Sequence, residues 1–161
     1  MRTEQEVTRA IEQYSDMVLR LCTVYMKNRS DAEDIFQTVF LKYTLSPRQF
    51  QSAEHEKAWL IRVTINACKD LLKSFHHRQV LSLEELNEEP SCVTPEQYRV
   101  IEAVWSLPET YRNVVYLHYY EGYTAPEIGN ILNKNTNTVY TQLRKAKELL
   151  AQSLGGDFHE G

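Results

Sequence analysis

Glycine and proline are scarce in this chain of 161 residues, five of each. So few turn-formers exclude a collagen-like or low-complexity chain and leave little room for a turn-rich all-β fold. Cysteine is scarcer still: Cys22, Cys68 and Cys92, an odd count without paired spacing. That argues against a disulfide framework and fits a reducing cytoplasm. No apolar run approaches the ~20 residues that span a bilayer, so no membrane contact of the chain's own is expected. The opening stretch, MRTEQEVTRAIEQY, is charged and amphipathic, with neither the apolar run nor the cleavage site of a signal peptide. Catalytic apparatus is also missing. No nucleophile, base and orienting group fall together, and there is no Gly-rich phosphate loop, so neither enzyme activity nor a cofactor is expected. His76 and His77 follow Cys68 by eight and nine residues, which is not a ligand spacing on a helix, and no metal is expected. What remains is an ordinary globular mixture, 42% hydrophobic and 25% charged, which argues against global disorder.

The formal net charge of -4 hides an uneven distribution. Residues 1–80 carry 12 basic and 10 acidic side chains, and residues 98–161 carry 6 and 7. Between them, 81–97 has no basic residue and five acids: Glu84, Glu85, Glu88, Glu89 and Glu96. Elsewhere the basic residues cluster. Arg62, Lys69, Lys73 and Arg78, with His76 and His77, share one helical stretch; Lys134, Arg144, Lys145 and Lys147 share another. Basic stripes on helices are the electrostatic footprint of a nucleic-acid binder, although each alone also suits a solvated face.

Apolar spacing predicts an all-α fold. Val7, Ile11, Tyr14, Val18, Leu21 and Tyr25 mark a helix over about 4–26. Ser30 with Glu33 has the form of a capping box for a second helix over about 31–44, with Ile35, Phe36, Val39, Phe40 and Tyr43 on one face. After a loop, Ala58, Ile61, Ile65, Cys68, Leu72 and Phe75 mark a long helix over about 54–77. These three make one helical domain, 1–79. The acidic stretch 80–94 reads as a flexible linker. Thr94-Pro95 opens a second domain, 95–155, followed by a tail, 156–161. There Tyr98, Ile101, Val104 and Trp105 form one face, and Tyr111, Val114, Val115 and His118 the next, with Gly122 as a cap. Thr124 and Glu127 cap a short helix, Asn133-Lys134-Asn135 turns, and Thr136 opens a basic helix with Val139, Leu143, Ala146 and Leu150 inward. Such a pair is a helix-turn-helix, whose second helix enters the major groove.

Three stretches, in order, carry a resemblance to the bacterial RNA polymerase sigma factors of the extracytoplasmic-function type. DAEDIFQTVFLKYT (31–44) resembles that family's core-polymerase-binding helix. KAWLIRVTINACKDLLKSFHHR (57–78) resembles its promoter-melting helix, with Trp59, Leu60, Asn66 and Asp70 in the family pattern. Residues 107–150 resemble its DNA-binding helix-turn-helix. The resemblance implies a subunit that binds core polymerase, through the beta-prime clamp helices and the beta flap, and promoter DNA, under the control of an anti-sigma factor. It places core binding on Asp34, Gln37, Leu41 and Lys42. Contacts to the melted minus-ten element fall on Phe50, Arg62, Asn66, Lys69, Lys73 and Arg78, with a base-capturing loop at 50–56. The minus-thirty-five element falls to Thr124, Asn137, Tyr140, Thr141, Arg144, Lys145 and Lys147. Several residues depart from the family pattern: Thr38 for an acid, Gly129 for Ala, Asn133 for Gly, Lys134 for an apolar residue and Gln142 for Arg. The alternative is a stand-alone helix-turn-helix regulator that never engages polymerase. A sequestering protein that has lost DNA binding would have an eroded basic helix at 136–150, which is not seen.

Overall fold

The computed structural model describes residues 1–78 and 94–154, and every regular element among them is helical. Apart from Thr94, the expected linker lies outside the described residues, as does the expected tail. The chain divides into two compact units, Met1–Glu89 and Pro90–Gly161.

In the first unit α1 spans Glu4–Tyr25. Thr3 starts it with a reciprocal cap: its hydroxyl accepts from Glu6 N and its own N–H donates to the Glu6 carboxylate. Tyr14, Val18, Leu21 and Tyr25 are buried as spaced, but Ile11 is 37% exposed and Val7 only half-buried. Ala10 and Met17 are buried instead, because both other helices of the unit pack on α1 and pull its contact face round. The next helix, α2, spans Arg29–Leu45. The expected cap at Ser30 is corrected. Asn28 is the cap, its side chain accepting from Asp31 N at 3.0 Å, so Ser30 lies inside the first turn. Helix α3 spans Ala53–Arg78 and buries Leu60, Ile61, Ile65 and Cys68. Ala58 and Leu72 are half-buried. Thr64 is also fully buried, its hydroxyl satisfied by Leu60 O at 2.7 Å.

The second unit opens with α4, Pro95–Trp105. Arg112 ties its end to α5, Glu109–Val115, by donating to Trp105 O and Leu107 O at 2.8 and 2.9 Å. α5 runs on into a π-helical turn, Tyr116–Tyr120, closed by Glu121 N on Tyr116 O. Gly122, at φ 74°, then reverses the chain where a side chain is disfavoured. Helix α6 spans Ala125–Leu132 and α7 spans Thr136–Ser153. α7 packs against both α5 and α6. Val114, Leu117, Ile128, Val139, Ala146 and Leu150 form the dry centre, all fully buried. Leu143 and His118 are only half-buried, and the His118 ring pairs with Tyr123 O.

Candidate nucleic-acid interface and partner surface

On α2 the buried row Ile35, Val39, Phe40 and Tyr43 faces the core. Asp34, Gln37, Leu41 and Lys42 are all exposed, as their positions off that row require. Leu41 is 59% exposed, and so is Leu45. Apolar spacing ends the helix at about 44, whereas it runs to Leu45. The extra residue puts Leu45 one turn beyond Leu41 on the same face, making an apolar pair flanked by Lys42. Two adjacent exposed leucines on one helix face are the kind of patch that a partner covers.

On α3 the outward row is Arg62, Asn66, Lys69 and Lys73. Asn66 and Lys73 are exposed, Arg62 and Lys69 half-exposed. They follow helical spacing opposite Leu60, Ile61, Thr64 and Cys68, so three cations and an amide share one surface. Arg78 is the last residue of α3.

The segment 50–56 does not act as one loop. Glu56 is 5% exposed. Its Oε2 accepts from Arg9 at 2.9 Å and from the Tyr43 hydroxyl at 2.7 Å. Burial alone pushes the Glu56 carboxyl up, but these two donors and the charge of Arg9 outweigh it and hold the group below its usual range. Burial and the same carboxylate push the Tyr43 phenol up to about 12. Glu56 is therefore spent inside the fold and unavailable to a base. Phe50 is half-buried, its ring parallel to Tyr43 and edge-on to His55 and Trp59. Trp59 is half-buried too, edge-on to Tyr43 and Phe50.

In the second unit the helix-turn-helix stands as spaced. Thr124 caps α6: its hydroxyl accepts from Glu127 N and donates to Glu127 Oε1, while its N–H also donates to that oxygen. These donors hold the Glu127 carboxyl below its usual range. Asn133 adopts the left-handed conformation, φ 55°, at the turn. Three of the departures from the family pattern, Gly129, Lys134 and Gln142, prove to be in contact. A Cβ on Gly129 would stand 2.7 Å from Lys134 O, so the missing side chain lets the turn fold in close. Lys134 N donates to Gly129 O at 2.8 Å, and Lys134 Nζ reaches Gln142 Oε1 at 3.4 Å.

The expected contact residues of α7 fall into two rows. Asn137, Thr141 and Lys145 line a cleft of about 540 Å³ whose far wall is Pro108, Thr110 and Tyr111 of the α5 start. Tyr140, 57% exposed, and the exposed Arg144 lie on the next row, outside that cleft. Lys147 is half-buried further along the helix. Thr110, Tyr111, Thr138 and Gln142 also line the cleft and were not anticipated. Thr138 and Gln142 sit on the predicted helix itself. Thr110 and Tyr111 come from another helix, and no spacing rule reports them.

The family model for Sigma-70 region 2 matches residues 10–78, and that for Sigma-70 region 4 matches residues 97–150. RNA polymerase sigma factor SigV of Bacillus subtilis is 31% identical over 134 residues, covering 81% of this chain and 80% of the relative. The ECF RNA polymerase sigma factor SigW of the same organism is 27% identical over 161 residues, covering 89% and 86%. Among solved structures, the sigma factor RpoE from Bartonella quintana, in complex with the anti-sigma factor NepR, is similar in fold. Its TM-score is 0.78 at 15% identity, covering 96% of this chain and 99% of that one. CnrH, in complex with the cytosolic domain of CnrY, is similar with a TM-score of 0.68 at 19% identity, covering 97% and 92%.

Proposed function

We propose, from the premise that this chain belongs to the extracytoplasmic-function sigma factors of bacterial RNA polymerase, a division of that work over its surfaces. The exposed face of α2, with Asp34, Gln37, Leu41, Lys42 and now Leu45, docks on core polymerase at the beta-prime clamp helices. The α3 row Arg62, Asn66, Lys69 and Lys73, with Arg78, tracks the backbone of the melting minus-ten strand, where closely spaced cations replace condensed counterions. Phe50, with the irregular residues that follow it up to the start of α3 at Ala53, takes the extruded base. The cleft row Asn137, Thr141 and Lys145 and the outer row Tyr140 and Arg144 read the minus-thirty-five element; Lys147 meets phosphate, and Thr124 holds α6 at the backbone. Core docking and minus-ten opening occupy 1–79 and minus-thirty-five reading 95–155, with 80–94 as tether and the beta flap as a further polymerase contact. The chain works in the cytoplasm as a binding and opening subunit without an active site of its own. An anti-sigma factor controls it, by analogy with the similar sigma factor solved with one bound.

The observation that carries this reading is the match to both sigma regions in one chain, region 2 over 10–78 and region 4 over 97–150. It weighs against a stand-alone regulator, which has no use for the exposed Leu41–Leu45 pair. The test is run-off transcription with purified core polymerase on a promoter library. Promoter-specific transcripts that require this chain are expected. DNA binding without core binding would instead establish the stand-alone regulator.

A further inference from the structure

Arg2 makes more long-range contacts than a residue at its place in the chain needs for helix capping, which Thr3 performs. Its N–H donates to Thr44 O at 3.0 Å and its Nε to Tyr43 O at 2.9 Å, both at the end of α2. Its Nη2 donates to Arg48 O, in the loop between α2 and α3. The guanidinium carbon lies 4.3 Å from the centroid of the Tyr43 ring and 4.9 Å from that of Phe50. Those two rings are parallel within 4°, their centroids 6.3 Å apart.

The loop's own hydrogen bonds are local and lie at its ends. Arg48 N donates to Ser46 Oγ, Gln51 N to His55 Nδ1, and His55 N to Ser52 Oγ. Its middle, from Arg48 to Phe50, is tied across the fold by Arg2. A planar guanidinium can reach two carbonyls while lying over two rings; an ammonium cannot. Cationic charge also suits the carbonyl end of α2.

We propose that Arg2 is a positioning residue for promoter opening: it locks Arg48 and Phe50, which lead into the expected base-capturing segment 50–56, to the end of α2, so that the irregular start of that segment, before α3 begins at Ala53, meets the extruded base already ordered. This rests on the reading of the segment that Phe50 opens, 50–56, as the base-capturing element. A loop fixed beforehand does not lose its own freedom when the base enters, and the saving appears in the opening equilibrium. Arg2 itself touches no DNA in this scheme.

The test uses the full chain assembled with core polymerase. Arg2→Ala, Arg2→Lys and Phe50→Ala are compared by core affinity and by permanganate reactivity of minus-ten thymines. Arg2→Ala and Arg2→Lys are both expected to lower the opening equilibrium about ten-fold, with core affinity unchanged. Lys keeps the charge but not the fork, so it should rescue little. The double variant Arg2→Ala with Phe50→Ala should be no worse than Phe50→Ala alone, since both remove one clamp. If Phe50→Ala leaves opening intact, the base-loop reading fails and takes this inference with it. If Phe50→Ala impairs opening while the Arg2 variants do not, or if the two effects multiply independently, the loop reading stands and the positioning role is overturned. A loss of core affinity equal to the loss of opening would make Arg2 a mere cap of α2. Should Arg2→Ala fail to fold, Arg2→Lys carries the comparison alone.

Discussion

Glu56 and Gly129 are the residues whose settings most constrain substitution. Glu56 sits between Arg9 and Tyr43 in the first core, and its folded pKa is depressed below the ordinary carboxylate value of 4.5. A depressed carboxyl contributes stability above its unfolded value, and that contribution is lost as pH falls through the folded one. The protein should therefore lose stability on acidification below about pH 4.5, and Glu56→Gln should flatten that limb. At neutral pH the same change should cost about 1–3 kcal/mol, since Tyr43 and the half-exposed Arg9 lose a charged acceptor. Denaturant melts of both proteins across pH 3–7 check it; parallel acid limbs would remove Glu56 from the account. Gly129 is constrained by space rather than charge. Ala there would press on the Lys134 carbonyl, a backbone atom that cannot swing away. Gly129→Ala should cost about 1–3 kcal/mol of second-unit stability. Asn133→Gly, at the left-handed position, should change stability by only a few tenths. Thermal melts that rank these two the other way would show that the turn relaxes freely.

At the scale of the element, α2 is the clearest case of what spacing can and cannot report. Its buried row was legible because a period of 3.6 leaves one face apolar, and Leu41 was legible as the residue off that row. Leu45 was not: the residue before Pro47, Ser46, is extended as that position favours, but this leaves open whether 44 or 45 is the last helical residue. The cap was misplaced for a similar reason: Asn28 and Ser30 are both good capping residues, and the choice between them is made by backbone entry, not by composition. The turn of the helix-turn-helix was read correctly, since Thr124, Glu127 and Asn133 each do locally what their chemistry favours. The cleft beside α7 was illegible, for its far wall comes from Pro108, Thr110 and Tyr111, brought there only by tertiary packing. Two expectations follow for these helices. Leu41→Asp and Leu45→Asp should each weaken co-purification with core polymerase while leaving helicity unchanged, because neither leucine is part of the core. Unchanged core affinity in both would move the docking face elsewhere. On α7, Arg144→Ala and Lys145→Ala should each cost about 1–3 kcal/mol and relax sequence preference at one or two positions, if they meet base edges. Lys147→Ala should weaken all promoters alike and lower the salt slope by about one. Uniform losses in all three, on single-base promoter variants, would reduce α7 to an electrostatic clamp.

Over the whole molecule, charge rather than packing sets how the free chain meets DNA. Each unit carries cationic side chains on a helix, Arg62, Lys69 and Lys73 in one and Arg144, Lys145 and Lys147 in the other. The sequence around the junction of the units is the reverse: residues 81–97 hold five acids and no base. The net charge of -4 is smaller in magnitude than that segment's own -5, so the rest of the chain is close to neutral. If the segment is the tether proposed above, its acids should compete with phosphate for the same cations, and because it is covalently attached its effective concentration would not fall on dilution. The free chain should then bind DNA weakly, and engagement with polymerase, which holds the units on their own sites, should relieve the competition. Replacing Glu84, Glu85, Glu88 and Glu89 by Gln is expected to raise the affinity of the free protein for non-specific duplex, most at low ionic strength, where the Debye length of ~30 Å at 0.01 M lets tether and helix charges feel each other. The gain should shrink steadily towards ~0.15 M salt, where that length falls to about 8 Å. Fluorescence anisotropy with a labelled random duplex, taken across that salt range with and without core polymerase, measures both halves of the argument. Equal affinities for the wild-type and neutralised chains at every salt would leave the acidic segment as a soluble spacer. A gain that persists unchanged in the holoenzyme would mean that polymerase does not relieve the competition.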